Sequence, residues 1–263
     1  MSEDTFLVDV EMGNLPFPMR VASREDPEGQ PTVANISVAA RIMHRFEAQW
    51  IDMFIKILHM HRDSIGTKTV RANIDDYYRA LQATSVTASF DYPFFVEKRT
   101  PVSKEKCLVA YQCTYSTKVS GIKPTPKVQF TIKVPCITTY PASAGDEGGG
   151  LFGQLSMVTI GVTSAKDIYP EDLVAIVDEH ALAPVYSFLD KEDQLYLVEK
   201  IHSREKTSVI VTNEVKNDLA RNPDIDWYSV RCANYGMLHS YHTIIGTEKS
   251  QWVPFSGYTE QEI

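Results

Sequence analysis

Polar and apolar residues alternate along several segments of the chain, and this period-two pattern predicts strands with one buried face. The clearest run is 107–119, where cysteine, valine and tyrosine alternate with leucine, alanine and glutamine. The other runs are separated by turn-forming or helical segments. The predicted strands are 16–21, 32–39, 89–97, 107–119, 128–137, 155–162, 227–232 and 239–245.

Two segments that precede residue 89 repeat apolar side chains every three to four residues instead, which predicts amphipathic helices. The first helix is expected at about 44–63, with Trp50, Phe54 and Leu58 on its buried face. A weaker pattern predicts a second helix at about 73–83. We expect these helices to cover one face of the sheet that the neighbouring strands form.

Proline and capping residues mark the helices of the second half. Pro170 is followed by two acids, and this start is favourable because proline fits the first turn and acids suit the positive end of the helix dipole. Pro184 should end or kink that helix. Ser203 is expected to cap the next helix, in which Val211 and Leu219 share a face.

In chain order the predicted elements read ββααββ followed by ββααββ, and the two-proline segment GIKPTPK at 121–127 separates the halves. The pattern predicts an α+β fold with two modules, 14–120 and 126–247, and a surface tail at 248–263. Each module would be an antiparallel four-stranded sheet with two helices over one face. Such sheets leave open edges and an uncovered face, so we expect assembly with other subunits.

Composition and charge restrict the class of partner. The 263 residues carry a formal net charge of -8, which disfavours a surface that follows nucleic-acid phosphates. The first residues, MSEDTFLVDVEMG, lack the basic and apolar regions of a signal peptide, and no uncharged apolar run is long enough to span a bilayer. We expect a cytoplasmic protein with neither nucleic-acid nor membrane partners. The four cysteines form no CxxC pair and are interpreted as buried free thiols.

Three segments carry more specific motifs: FFVEKRTPVS at 94–103, LAPVYSFLDKEDQLYLVEK at 182–200 and NPDIDWYSVRCANYGMLH at 222–239. They resemble FIEKxAPVS, LYxLLKRPDEKxVTE and DPRIxWYxVExENFESIH of the type IB GTP cyclohydrolases, which belong to the tunnelling-fold superfamily. The resemblance extends from about Asn14 to Ile245. It implies a tandem tunnelling fold, a homotetramer or homodimer with sites between subunits, and a metal-dependent opening of the imidazole ring of GTP.

The same resemblance places unexpected residues at the positions that carry the family's chemistry. Its metal-binding cysteine, histidine and glutamate correspond to Tyr140, Phe152 and Gln194, and its guanine-binding acid corresponds to Val209. One histidine is kept, as His239. A catalytic divalent metal needs about three ligands such as thiolate, imidazole or carboxylate. One imidazole cannot hold zinc, so we expect neither a metal nor another cofactor.

Candidate catalytic groups lie around the retained histidine. His239 can donate and accept protons near neutral pH. If His239 begins a strand, Tyr241 shares its face, because alternate residues of a strand point the same way. Tyr140 is the third candidate, as a phenol that assists proton transfer. The alternative for His239 is a purely structural role.

Neutral polar residues are candidates for substrate binding. Ser143, Gln154 and Gln194 offer donors and acceptors to a neutral or zwitterionic ligand in the cavity that the resemblance implies. Ser143 belongs to a glycine-rich loop that also contains Asp146 and Glu147. This loop is expected to be either a mobile lid or a surface loop.

Charged residues in the matched motifs are further candidates for substrate binding. Glu97 and Glu199 would bind the edge of a heterocycle through their carboxylates, or would be framework residues that pair with nearby lysine or arginine. Lys98, which precedes Arg99, would meet a phosphate or carboxylate of the substrate, or would be solvated. The sequence leaves these alternatives open.

The predicted function is that of a divergent, metal-independent cyclase or hydrolase that acts on a small heterocyclic or cyclising substrate, with acid and base chemistry at His239. The missing acid at Val209 indicates a substrate other than GTP, and such a change suits specialised metabolism. Two alternatives remain open. One is a non-catalytic binding or scaffold homologue, and the other is a true GTP cyclohydrolase with relocated metal ligands.

Overall fold

A computed structural model describes residues 6–121, 126–140, 152–236 and 240–249. The strands are β1 (Leu7–Val21), β2 (Gln30–Met43), β3 (Ser85–Arg99), β4 (Lys106–Ser120), β5 (Lys127–Thr139), β6 (Gly153–Ser164), β7 (Ala183–Pro184), β8 (Ile225–Tyr235) and β9 (Thr243–Glu248). The α-helices are α1 (Trp50–His61), α2 (Thr67–Ala80), α3 (Pro170–His180), α4 (Lys191–Ser203) and α5 (Ser208–Arg221). None of the helices in these ranges is long and apolar enough to cross a lipid bilayer.

The strands form one antiparallel sheet in the order β1-β2-β3-β4-β5-β6-β8-β9, and β7 pairs with β5 away from this path. The two halves of the chain meet where β4 pairs with β5, from Gln112 opposite Lys133 to Lys118 opposite Lys127. The predicted α+β class, with antiparallel strands and helices over one face, is confirmed. The structure adds α4 and the short β7 to the predicted order.

Alternation along the strands decides which side chains enter the core. In β4, Cys107, Val109 and Tyr111 are buried, whereas Leu108 and Gln112 are exposed on the other face. The helices contribute the opposing apolar surface, and their buried residues include Trp50, Phe54, Ile57, Leu58, Val211, Val215 and Leu219. All four cysteines are buried and free, as expected. The core therefore follows directly from the two periodicities seen in the sequence.

Helix α2 begins before the predicted 73–83 because a tertiary contact caps its first turn. The backbone N–H of Lys68 donates to Oδ1 of Asp167 at 2.9 Å, and the N–H of Gly66 donates to Oγ1 of Thr69 at 2.7 Å. Asp167 lies between β6 and α3, in the other half of the chain. Its carboxylate satisfies an N–H group that a helix start otherwise leaves without a partner.

Helix α4 corrects the prediction that Ser203 caps a helix. Ser203 is instead the last residue of α4, and Thr207 caps α5 by accepting a hydrogen bond from the N–H of Ile210. Most side chains of α4 are exposed, among them Leu195 and Val198. Because the helix buries no continuous apolar stripe, its sequence lacks the period that indicates a helix.

Asp193 fastens the first turn of α4 to the turn between β3 and β4. The side chain is fully buried and accepts hydrogen bonds from the N–H of Val102 at 2.7 Å, the N–H of Ser103 at 3.1 Å and Oγ of Ser103 at 2.7 Å. Burial alone would raise the pKa of Asp193, but these hydrogen bonds outweigh burial and hold the pKa well below its ordinary value. The bonds therefore favour the ionised carboxylate.

Replacing Asp193 with asparagine is expected to lower the stability of the protein at pH 7. Because the folded pKa lies below the unfolded one, the stability that Asp193 contributes is present above about pH 4 and is lost as the pH falls further. The difference between variant and wild type, measured by urea denaturation, should therefore narrow from pH 7 to pH 3. Asp226→Asn, at an exposed position of β8, is the control and should change stability by less than about 0.5 kcal/mol. A difference that stays constant between the two pH values would contradict this source of stability.

Candidate functional site

Polar side chains concentrate at one corner of the sheet, where β5 and β8 end and β6 and β9 begin. The strand register brings these ends together, since Thr139 lies opposite Gly153, Leu155 opposite Tyr235, and Asn234 opposite Thr243. Beyond the end of β5, the N–H of Tyr140 donates to the carbonyl of Phe152 at 2.8 Å. Two of the site residues predicted from the sequence, Tyr140 and Gln154, lie at this corner.

A chain of hydrogen bonds runs through the buried side of this corner. Oγ of Ser156 lies 2.8 Å from Oγ1 of Thr138 and donates to Oδ1 of Asn234 at 2.8 Å. Nδ2 of Asn234 donates to Oγ of Ser208 at 2.9 Å and to Oγ1 of Thr243 at 3.3 Å. The network therefore links four strands of the sheet, β5, β6, β8 and β9, to the first residue of α5.

Gln154 lies at the end of this network away from Asn234 and is itself buried. Its Nε2 donates to Oγ1 of Thr138 at 3.2 Å and makes a longer contact of 3.5 Å with the carbonyl oxygen of Thr139. A Cβ atom placed on Gly236 would lie 3.7 Å from Oε1 of Gln154 and 3.6 Å from Cε2 of Tyr140. The carboxamide oxygen and the phenol ring therefore border the same small space above Gly236.

The segment between α4 and α5 closes one side of the corner. The N–H of Thr139 donates to the carbonyl of Lys206 at 2.8 Å, and the N–H of Lys206 donates to Oγ1 of Thr139 at 2.8 Å. A Cβ on Gly153 would lie only 2.9 Å from Cγ2 of Ile201, so glycine allows α4 to pack against the start of β6. The site residues are thus held between a strand end and two helix ends.

Basic side chains occur on the same segment and in the last turn of α4. Partial burial lowers the pKa of Lys200, and the nearby positive charge of Arg204 lowers it further. Lys206 forms an ion pair with Glu214. An anion bound beside these two cations would offset the repulsion between them.

The other proposed binding residues do not gather at this corner. Gln194 and Glu199 lie on exposed positions of α4, and Nε2 of Gln194 donates to the carbonyl of Leu189 at 3.0 Å. Glu97 is exposed and pairs with Nζ of Lys106 at 2.8 Å, which is the framework role that the sequence left open. Ser143 and the glycine-rich loop lie outside the described residues.

Lys98 differs from the expected solvated or phosphate-binding cation. Its side chain is only 9% exposed and its ammonium pairs with the carboxylate of Asp178 on α3. The same ammonium lies 5.3 Å from the ring centroid of Tyr111, within the range of a cation–π contact. The structure therefore corrects the expectation of a solvated lysine, because the inward face of β3 carries this residue into the core.

The strand predicted at 239–245 is also corrected. β9 begins at Thr243, and Tyr241 lies in a bend before it with its side chain 60% exposed. The argument that His239 and Tyr241 share a strand face is therefore wrong, and His239 lies outside the described residues. The ring of His242 stacks on Tyr235 with 5.8 Å between centroids.

Sequence reasoning missed the residues that build the buried network, although a signal for them exists. The inward-facing positions of β5, β6 and β8 are mostly apolar. Near the corner, one inward position of each strand is polar instead: Thr138, Ser156 and Asn234. Polar side chains at three buried positions near strand ends require hydrogen-bond partners. Such a group indicates a polar site at that end of the sheet.

The residues at this corner do not fit the divalent metal that the resemblance implies. Tyr140 and Phe152 at this corner offer a phenol and a phenyl ring, and Gln194, which lies apart on α4, offers a carboxamide. None of these is a usual zinc ligand. Within the ranges that the structure describes, no three His, Cys, Asp or Glu side chains are grouped so that they could hold a metal ion. The proposals that follow therefore rely on the side chains of this chain alone.

Comparison with solved structures defines the class of fold. Uricase from Arthrobacter globiformis superposes with a TM-score of 0.54 at 8% identity and covers 98% of each chain. Urate oxidase from Bacillus sp. TB-90 gives a TM-score of 0.56 at 8% identity over 93% of this chain and 100% of that chain. At such low identity the likeness shows the fold alone, which is the tunnelling fold.

Sequence comparison then gives the family. The model of the type I GTP cyclohydrolase folE2 family matches residues 3–244, so this chain belongs to that family. The GTP cyclohydrolase FolE2 of Geobacter sp. (strain M21) is 28% identical over 244 residues, 92% of this chain and 89% of that protein. The protein of the same name from Nitrosococcus oceani is 29% identical over 244 residues, 92% of this chain and 90% of that protein.

The family match overturns the predicted substrate. The sequence reading expected a substrate other than GTP because Val209 replaces the guanine-binding acid, yet the family and both relatives are named for GTP. The inference of specialised metabolism depended on that substrate and falls with it. The loss of one acid was a weak argument because other groups of the site can supply an acceptor to a base.

Proposed function

We propose that this protein is a GTP cyclohydrolase, an enzyme that opens the imidazole ring of GTP by hydrolysis. The observation that carries the proposal is the family match over residues 3–244, which includes nearly every described strand and helix and the whole polar corner. The basic residues Lys200 and Arg204 on the adjoining segment support it, because they suit a triphosphate.

In this proposal the corner residues bind and protonate the base of GTP. Tyr140 would donate through its phenol beside the carboxamide of Gln154, which it meets above Gly236. His239, three residues after Gly236 in the sequence, would act as the general acid or base, and Tyr241 would assist. Ser143 would complete the binding groups, whereas the exposed Gln194 and Glu199 would contact GTP only where a second subunit closes the site.

We also propose that the chain consists of the two modules 14–120 and 126–247 and works as a homo-oligomer. An apolar strip on the uncovered sheet face supports this assembly: Leu155 lies opposite Tyr235, and both are exposed together with Ile244. Light scattering on the preparation used for the turnover assay should give the mass of a dimer or tetramer, and a monomer mass would contradict the assembly. The cytoplasmic location stays a prediction.

The test of the function is GTP turnover by the purified full-length protein, assayed without added metal and with zinc or manganese. Consumption of GTP, with ATP left intact under the same conditions, is the expected result. Metal content measured by mass spectrometry on the same sample would show whether ligands outside the described residues hold an ion. Failure to consume GTP under every metal condition would contradict the proposal.

A non-catalytic homologue that binds GTP is the second candidate. The observation that favours it is the pair of exposed apolar side chains, Phe152 and Val209, at positions where the resemblance implies an imidazole and an acid. Binding of GTP without turnover would select this candidate over the enzyme.

A further inference from the structure

Resting on GTP as the proposed substrate, we propose that the carboxamide oxygen of Gln154 accepts a hydrogen bond from an N–H group of the guanine ring. Ser156 and Asn234 are positioning residues that hold Gln154 in this orientation. The observation that carries the inference is that the buried carboxamide of Gln154 begins a chain of hydrogen bonds whose donors and acceptors are assigned in one direction only.

The orientation of Gln154 is decided first at the backbone. Oxygen and nitrogen of a carboxamide must be distinguished by their partners. The group that faces β5 lies 3.5 Å from the carbonyl oxygen of Thr139, which can only accept. That group is therefore the NH₂, and it also donates to Oγ1 of Thr138 at 3.2 Å. With the NH₂ on this side, the carboxamide oxygen turns toward Gly236.

The hydroxyl groups behind Gln154 agree with this direction. Each hydroxyl has a single proton to donate. Ser156 donates its proton to Oδ1 of Asn234 at 2.8 Å, so the 2.8 Å contact between Ser156 and Thr138 requires Thr138 to donate. Oγ1 of Thr138 can then only accept from Gln154. The chain of donors therefore runs from Gln154 through Thr138 and Ser156 to Asn234.

Asn234 fixes the far end of the chain. Its Oδ1 also faces Sγ of Cys232 at 3.8 Å, and burial raises the pKa of that thiol to about 11, so it remains a donor at neutral pH. Its Nδ2 donates a hydrogen bond to Oγ of Ser208 at 2.9 Å. Reversing the whole chain would turn the oxygen of Gln154 toward the carbonyl of Thr139 and place two acceptors against each other. The reversed state is therefore unfavourable.

The oriented oxygen lies beside Gly236 and the ring of Tyr140. A Cβ atom on Gly236 would lie 3.7 Å from Oε1 of Gln154, and the glycine leaves that volume open beside the ring of Tyr140. Guanine presents N–H donors at its ring and exocyclic nitrogens, whereas the corresponding ring nitrogen of adenine is an acceptor. An acceptor fixed against N1–H of guanine would face the lone pair of N1 in adenine bound in the same pose. It therefore selects guanine although adenine carries a donor at its 6-amino group, because the mismatched base leaves a buried polar group without a partner.

The test is the affinity of the full-length protein for GTP and for ATP, measured by titration calorimetry at one salt concentration. Gln154→Leu should weaken GTP binding by about 10- to 100-fold and change ATP binding by less than about threefold, because the triphosphate contacts are the same in both nucleotides. Gln112→Leu, on the exposed face of β4, is the matched control and should leave both affinities unchanged.

Ser156→Ala tests the positioning role and serves if Gln154→Leu does not fold. Breaking the chain at Ser156 should reduce the preference for GTP over ATP while Gln154 is still present. If Ser156 had only a structural role, the variant would lower the affinity for GTP and for ATP by the same factor. If the wild-type protein prefers GTP to ATP and a folded Gln154→Leu or Ser156→Ala variant keeps the same preference, the inference is overturned and the proposed function stands. Wild type that binds no GTP would overturn both.

Discussion

Replacing Lys98 with methionine is expected to lower the free energy of unfolding by about 3–5 kcal/mol. The side chain of Lys98 is 9% exposed and that of Asp178 is 20% exposed, so the ion pair that joins β3 to α3 is shielded from water. Removing the lysine leaves a buried carboxylate without its counter-ion. Burial already raises the pKa of Asp178, and the charge of Lys98 opposes that rise. Chemical denaturation at pH 7 measures the loss.

Two further variants separate the missing charge from the missing packing. Lys98→Met combined with Asp178→Leu should recover most of the stability, because a buried ion pair can be replaced by apolar groups of similar size. Lys106→Met removes an exposed pair with Glu97 on the same hairpin and should cost less than about 1 kcal/mol. If Lys98→Met stayed within about 1 kcal/mol of wild type, the pair would have to be screened by solvent.

The pH dependence of Lys98→Met follows from the raised pKa of Asp178. A carboxyl whose folded pKa exceeds its unfolded value binds its proton more tightly in the native state, so its contribution to stability falls as the pH rises through that interval. Without Lys98 the folded pKa should rise further. The deficit of the variant should therefore shrink as the pH is lowered, since the buried carboxyl becomes neutral.

Asn234→Ala is expected to lower the free energy of unfolding by about 2–4 kcal/mol. The variant leaves the hydroxyls of Ser156 and Ser208 without their partner, and both residues are fully buried. Each buried polar group that is left without a hydrogen-bond partner lowers the free energy of unfolding by about 1–3 kcal/mol. Because Ser208 is the first residue of α5, amide hydrogen exchange should also accelerate in the first turns of that helix.

An exposed asparagine provides the control for this prediction. Asn35 on β2 is exposed and makes one side-chain hydrogen bond, with Asn14 at 3.3 Å. Asn35→Ala should change the free energy of unfolding by less than about 0.5 kcal/mol. Equal effects of Asn234→Ala and Asn35→Ala in urea denaturation would show that the buried network does not stabilise the corner.

The fold was readable because the signals for its strands and main helices are local. Alternation along β4 and the stripe of α1 follow from the geometry of a single element, so each could be inferred without knowledge of its neighbours. The elements that escaped depend on contacts. Helix α4 has no continuous buried stripe, and the start of α2 is capped by Asp167 from the other half of the chain.

The candidate site was readable only in part. Tyr140 and Gln154 were named from a motif resemblance, and the structure places them side by side. Their supports Ser156 and Asn234 were missed, although each is polar at an inward position of its strand. The inference against GTP failed because a single missing acid says nothing about acceptors that other strands bring to the same corner.

By itself the sequence determined the fold class and the faces of the long strands. Only the tertiary structure decided that Lys98 meets Asp178, that Asn234 joins Ser156 to Ser208, and that Gln154 turns its oxygen toward Gly236. The physical reason is range. Periodicity records how one element meets water and core, whereas hydrogen bonds and ion pairs depend on distances between segments that the chain order does not encode.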